Sequence, residues 1–264
     1  MLWKPITSGE EVFLRLYSEL SSKIEVHSSH ESGLGFLVAE SNFAEFTRLV
    51  ATLEVFMRCV RVARDFYESS SHLPAGNIAK FLRTEADLPA GLHGERRFLE
   101  LAKDVGRIAS TKPRDDRVEA LALQGQRLNC YLCGVPLVRT GSGRNRLSIE
   151  HLWPQAFGGD TIEENLLPAC RDCNSKRQHV ITWAWGPVQS TFHASTNSAN
   201  LPGDLRISLA FARLMFIASG EADGGPKLTL KQAVKRAFPL IPSIQPEPGT
   251  HHLYFELLPL ARAI

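Results

Sequence analysis

Apolar residues recur at helical spacing toward both ends of the chain. Val12, Phe13, Leu14, Leu16, Tyr17 and Leu20 make a short stripe; Phe46, Leu49, Val50, Leu53, Phe56, Met57, Val60, Ala63, Phe66 and Tyr67 make a longer one. Positions three and four apart share one face of a helix, so each stripe predicts a helix with one side buried. Asn42 and Glu45 predict a capping box for the second, and Ser69-Ser70-Ser71 with Leu73-Pro74-Ala75-Gly76 predicts its end. Further helices are expected near Asn77 to Arg83 and Gly94 to Ile108, and Lys112-Pro113 closes the region. Past residue 180, Asp204 predicts the cap of an apolar helix through Ile207, Phe211, Leu214, Met215 and Ile217. Thr229 with Gln232 predicts a second capping box, for a helix reaching about Phe238, after which Pro239, Pro242, Pro246 and Pro248 keep the chain extended.

The middle of the chain changes period. A short helix from Asp115 leads to Leu128-Asn129-Cys130. Leu137-Val138-Arg139, a Gly141-Ser142-Gly143 turn and Leu147-Ser148-Ile149 then predict a small β-hairpin. Glu164 to Pro168 reads as a bridge, and Asn174 onward as helix. The expected fold is therefore mainly α with a small α+β core, in three parts: a helical region 1–115, a core 116–185 and a helical C-terminal region 186–264.

Composition and charge narrow the setting. An apolar content of 44% is ordinary for a globular chain. The opening Met1-Leu2-Trp3-Lys4-Pro5 and Gly9-Glu10-Glu11 carry charges where a secretion signal has its apolar stretch. No apolar run approaches a membrane span, so the expected address is the cytoplasm. Residues 1–115 hold 15 Lys/Arg against 16 Asp/Glu, 116–180 hold 8 against 7, and 181–264 hold 7 against 5. Any contact with phosphates must therefore come from a local patch.

Four of the five cysteines, Cys130, Cys133, Cys170 and Cys173, form two Cys-x-x-Cys pairs. Each pair presents two sulfurs at a separation that suits a tetrahedral ion, which predicts a structural zinc site; disulfides or a redox dithiol fit a reducing compartment less well. Cys59 lies within a helical stripe and reads as a small buried hydrophobe. His27, His30, His72, His93 and His193 read as surface or structural, and the adjacent His251 and His252 point apart, which makes them a poor ligand pair. Trp183 and Trp185 read as packing residues, the alternative being base stacking beside a groove.

The remaining chemistry is concentrated in Glu150-His151, Pro154, Gly158-Gly159, Asn165-Leu166 and Cys170-Arg171-Asp172-Cys173-Asn174-Ser175-Lys176, with Cys130-Tyr131-Leu132-Cys133-Gly134 upstream. This segment, roughly residues 126–180, resembles the HNH (ββα-metal) endonucleases that carry a four-cysteine zinc site. The steps from His151 to Asn165 and on to Asn174 are similar to those of the HNH domain in RNA-guided CRISPR nucleases. Phosphodiester hydrolysis needs a water deprotonated near neutral pH, and His151 has the side chain suited to that work. The resemblance implies that Glu150 and Asn174 hold a catalytic Mg²⁺ or Mn²⁺, and that Asn165 orients the loop bearing His151. Glu150 departs from the more common Asp by one methylene. Arg171, Lys176 and Arg177 are expected phosphate contacts.

The resulting expectation is a metal-dependent nuclease acting on DNA, with RNA as the alternative substrate. Its setting would be a restriction or anti-phage system, with the N-terminal region docking a partner such as an ATPase or a second copy. The competing class is a zinc-stapled nucleic-acid-binding module without catalysis.

Overall fold

The computed structural model describes residues 2–24, 40–70, 77–112, 115–123, 128–185, 205–222, 224–241 and 261–262. His27, His30, His72, His193, His251, His252, Asp204, Pro242, Pro246 and Pro248 lie outside them. The protein is mostly helical with one two-stranded antiparallel sheet, and the HNH-like segment sits between helical regions in the chain.

Helix α1 (Ser8–Ser21) starts at a capping box that the apolar stripe did not reveal. Thr7 Oγ1 accepts from the Glu10 backbone N–H, and the Glu10 carboxylate accepts from the Thr7 N–H at 2.9 Å. Glu10 is itself buried and also accepts from the Trp3 indole at 2.9 Å, so its burial is compensated by hydrogen bonds. Helix α2 (Glu40–Ser70) begins two residues before Asn42 and carries the long stripe. Helices α3 (Ile78–Glu85) and α4 (Arg96–Ser110) follow, and α2 packs on α1, α3 and α4. Cys59 is buried among these helices, and burial pushes its thiol up to about 12, which keeps it neutral and inert.

Helix α5 (Asp115–Leu123) leads to the first cysteine knuckle. Strand β1 (Leu147–His151) then pairs with β2 (Leu166–Cys170), Leu147 facing Cys170 and His151 facing Leu166. This corrects the expected hairpin. The segment at 137–139 makes only a single bridge, Val138 to Arg146, whereas Leu-Leu-Pro-Ala-Cys is buried along its whole length and takes the partner role. A continuous apolar run sits between two packed layers, whereas the polar Arg139-Thr140 arm belongs at the surface. Helix α6 (Arg171–Arg177) follows β2 directly, three residues earlier than expected.

On the C-terminal side, α7 (Leu205–Ser219) and α8 (Leu230–Ala237) pack together, and the Thr229–Gln232 capping box is present. One continuous core joins these parts except α5, whose Val118 and Ala122 form a separate small cluster with Leu166. Its centre is an aromatic cluster in which Trp153, two residues after His151, meets Trp3, Phe13 and Phe56 at ring separations of 5.5–6.0 Å. Trp183 and Trp185 are buried too, against Phe46 and Phe157 respectively, so they pack and do not stack on bases.

Candidate active site

The four cysteine sulfurs converge. Cys130, Cys133, Cys170 and Cys173 place their Sγ atoms within 4.8 Å of one another, and among the described residues no other group of His, Cys, Asp or Glu does the same. The convergence is local in origin. The first knuckle turns at Gly134, which donates to the Cys130 carbonyl at 2.8 Å, and β2 delivers Cys170 to the cap position of α6, whose first turn carries Cys173. Tyr131 and Leu132 are clamped in turn by the C-terminal chain, Leu240 N donating to Tyr131 O and Ile241 N to Leu132 O. A thiolate set with this geometry and chemistry fits a tetrahedral zinc ion.

His151 ends β1 and is half-buried, with Nε2 3.0 Å from the Thr161 hydroxyl. Burial, with the nearby Arg177 guanidinium, holds its pKa down to about 4, so the imidazole is uncharged at neutral pH. In the tautomer whose Nε2–H donates to Thr161 Oγ1, the lone pair lies on Nδ1, where it can accept a proton. Thr161 escaped the sequence reading, and its only signal was a hydroxyl two residues past the Gly-Gly turn.

The chain beyond His151 is fixed from three directions. Asn165 is buried: Oδ1 accepts from Trp153 N at 2.7 Å, while Nδ2 donates to Trp153 O and Asp160 O, each at 3.0 Å. Helix α1 docks on the same loop, with Gly9 N donating to Gly158 O at 2.9 Å and Ser8 N to Asp160 Oδ2 at 2.8 Å. No side chain fits at Gly9, where a Cβ would lie 2.0 Å from Phe157 O. Gly158 adopts φ +78°, and a Cβ there would meet Val105 of α4 at 2.6 Å, which explains half of the Gly-Gly pair. From the C-terminal side, the buried Lys231 donates to Glu163 O in the turn before Asn165. Replacing Asn165 by Ala strands Trp153 N and two carbonyls. A loss of about 1–3 kcal/mol in urea unfolding is expected, together with slower nucleic-acid cleavage by the surviving fold.

Strand alternation separates the roles on β1. Ser148 and Glu150 face α6, and Ile149 packs toward Val118 and Ala122 of α5. Asn174 Nδ2 donates to Ser148 Oγ at 2.6 Å. Glu150 is engaged by Arg177, the residue three places past Asn174. The side chains of Glu150 and Arg177 are both buried, at 5% and 1% exposure. Arg177 also donates to His151 O at 2.8 Å and to Leu152 O, its Nε reaches Val180 O at 3.2 Å, and its guanidinium lies 5.0 Å from the Phe211 ring of α7.

This corrects the expected phosphate contact at Arg177: its nitrogens are spent inside the protein, tying α6 to the end of the strand that carries His151. It also bears on the second metal. Glu150 Oε1 pairs with Arg177, and its Oε2 is buried beside the Tyr131 hydroxyl, which is buried as well. A divalent ion at this carboxylate would be buried against the Arg177 guanidinium that already holds it, so Glu150 and Asn174 as arranged do not fit one. Lys176 remains exposed and pairs with Asp172 at 2.8 Å.

Asn174 does open on solvent. With Arg171, Ser175, Gln178 and His179 it lines a cleft of about 450 Å³ along α6. His179, absent from the sequence reading, stacks edge-on against Phe157 with ring centroids 5.5 Å apart.

A two-stranded sheet and a following helix, held at one end by four thiolates and presenting a histidine at the other, define a zinc-stapled ββα module. Residues 130–185, a minority of the chain, match the family model described as HNH endonuclease, so this segment is similar to that family. No curated protein and no solved structure matches the chain.

Proposed function

We propose that this protein is an HNH endonuclease that hydrolyses phosphodiester bonds, with DNA as its substrate and His151 as general base. The observation that carries the reading is the state of His151 within a segment similar to the HNH family. Its imidazole is uncharged, oriented by Thr161 through one nitrogen and open at the other, on a strand end pinned by Arg177 and Asn165.

In the reaction, water beside Nδ1 gives up its proton as its oxygen attacks phosphorus, and the leaving oxygen departs on the opposite side. An anionic phosphate next to the imidazole raises its proton affinity during that step, which offsets the low resting pKa. Asn165 acts by holding the backbone that carries His151 in register. Zn²⁺ on the four cysteines supplies structure. A divalent ion of the Mg²⁺ or Mn²⁺ type is what the family likeness implies for the phosphate charge, but Glu150 is committed to Arg177.

One module cuts one strand per visit, so a duplex break needs two copies or two visits. An effector role in restriction or phage defence, in the cytoplasm and with a partner docked on the N-terminal helices, extends the reading at the level of the family. Among the described residues no helix is long and apolar enough to cross a membrane.

The test is plasmid cleavage in Mg²⁺ or Mn²⁺ by wild type and His151→Ala, with total RNA and genomic DNA run in parallel. Removing a general base should slow cleavage by about 10²–10⁴ while leaving thermal melting nearly unchanged. Equal inertness of both proteins toward every substrate, with nucleic-acid binding intact, would establish a non-catalytic binding module instead.

A further inference from the structure

With Arg177 buried and Lys176 paired to Asp172, two of the three expected phosphate contacts are committed elsewhere. The fold assembles a different set. The arm after Val138 bends back so that Arg171 N donates to Arg146 O at 2.9 Å and Asp172 N donates to Arg144 O at 3.2 Å. The main chain at Arg144 and Arg146 thus lies against the start of α6, and Arg144, Arg146 and Arg171 are each exposed there. None of the three has an ion-pair or hydrogen-bonding side-chain partner among the described residues. By contrast, Arg15, Arg58, Arg96, Arg97 and Arg107 on the N-terminal helices, and Arg139 on the same arm, all pair with carboxylates.

Counting charge along the sequence conceals this patch. Four of the seven acids of the 116–180 segment are engaged away from it, Glu150 with Arg177, Glu119 with Arg139, Glu163 beside Lys231 and Asp160 with Ser8, and Asp172, next to Arg171, pairs with Lys176. Three arginines without an ion-pair partner among the described residues therefore meet at one end of α6, and Arg171 continues from them into the cleft lined by Asn174, Ser175, Gln178 and His179.

We propose that Arg144, Arg146 and Arg171 form a strip that binds the sugar-phosphate backbone of the nucleic acid and leads it along the exposed side of α6. The inference rests on the nuclease reading for its ligand class. It adds the surface that holds the polyanion, which neither the zinc site nor His151 supplies. The chemistry recognised is a run of phosphodiesters, available from DNA or RNA, and the guanidinium fork matches phosphate oxygens in pairs. Contacts of this kind fix position and carry no base preference.

The experiment uses the full chain with His151→Ala to prevent turnover. Binding to a fluorescein-labelled DNA duplex and to a labelled RNA hairpin is measured by anisotropy across a series of salt concentrations. In this background Arg144→Gln/Arg146→Gln/Arg171→Gln should flatten the plot of log binding constant against log salt by about three units on its preferred nucleic acid, and weaken binding at low salt by at least roughly tenfold. The control Arg96→Gln/Arg107→Gln, on the far helix α4, should leave the slope unchanged, and all variants should melt like the parent. A triple variant that binds with the parental slope and affinity overturns the strip and leaves the nuclease reading standing. Failure of the parent to bind either nucleic acid overturns both.

Discussion

Stripping zinc from the full chain is expected to unfold the segment spanning residues 130–185 and to abolish cleavage. Structural zinc in small tetrathiolate or mixed sites contributes on the order of 10–16 kcal/mol of apparent binding free energy near neutral pH. A whole domain's net stability is only about 5–15 kcal/mol. The four sulfurs join the knuckle at 130–134 to the continuous run from the end of β2 into the first turn of α6. A two-stranded sheet is marginal without support, so loss of the ion should release β1 and His151 with it. Helices α1, α2 and α4 have their own contacts and should retain much of their helicity. The fingerprint is therefore a loss of near-ultraviolet circular dichroism from Trp153, Trp183 and Trp185 with a smaller change in the far-ultraviolet. Cys170→Ser should reproduce it with reduced zinc content. Full retention of tertiary signal and melting temperature after complete zinc removal would sink the structural role of the cysteines.

Arg177→Ala should cost about 3–5 kcal/mol in urea unfolding, because it leaves the Glu150 carboxylate buried and unpaired. The substitution also takes hydrogen bonds from His151 O, Leu152 O and Val180 O and empties the space against Phe211. Arg177→Lys should recover only part of the loss, since a single ammonium cannot reach acceptors spread around a planar fork. Glu150→Gln/Arg177→Met should be milder than the two single losses combined, as removing both charges avoids stranding either. An Arg177→Ala protein within about 1 kcal/mol of wild type in that measurement would show that the pair carries no such weight.

Much of the candidate site was legible because its logic is local. A Cys-x-x-Cys knuckle brings its two sulfurs together within one turn of chain, whatever surrounds it, and Asn165 and His151 stand at positions whose spacing is set by one short loop. The HNH likeness, read from those spacings, agrees with the family match at 130–185. Helix positions were legible for the same reason: Phe13, Leu16, Phe56 and Val60 announce a buried face whether or not the partner is known.

What had to wait for the fold involves pairs far apart in sequence. Whether Leu147–His151 pairs with 137–139 or with 166–170 depends on which segment is buried on both faces, and hydrophobic alternation in β1 alone does not say. Arg177 and Lys176 are neighbours of equal charge, yet one is sealed inside by Glu150, strand carbonyls and Phe211 while the other remains in water. Arg144 and Arg146 lay unnoticed in a polar arm until backbone hydrogen bonds set them beside Arg171. By itself the sequence determined the two Cys-x-x-Cys knuckles and the helical faces, because each follows from contacts within a turn or two. Tertiary structure alone decided which charges are spent in the interior and which remain for a ligand, since the cost of burying a charge depends on partners that only folding brings near.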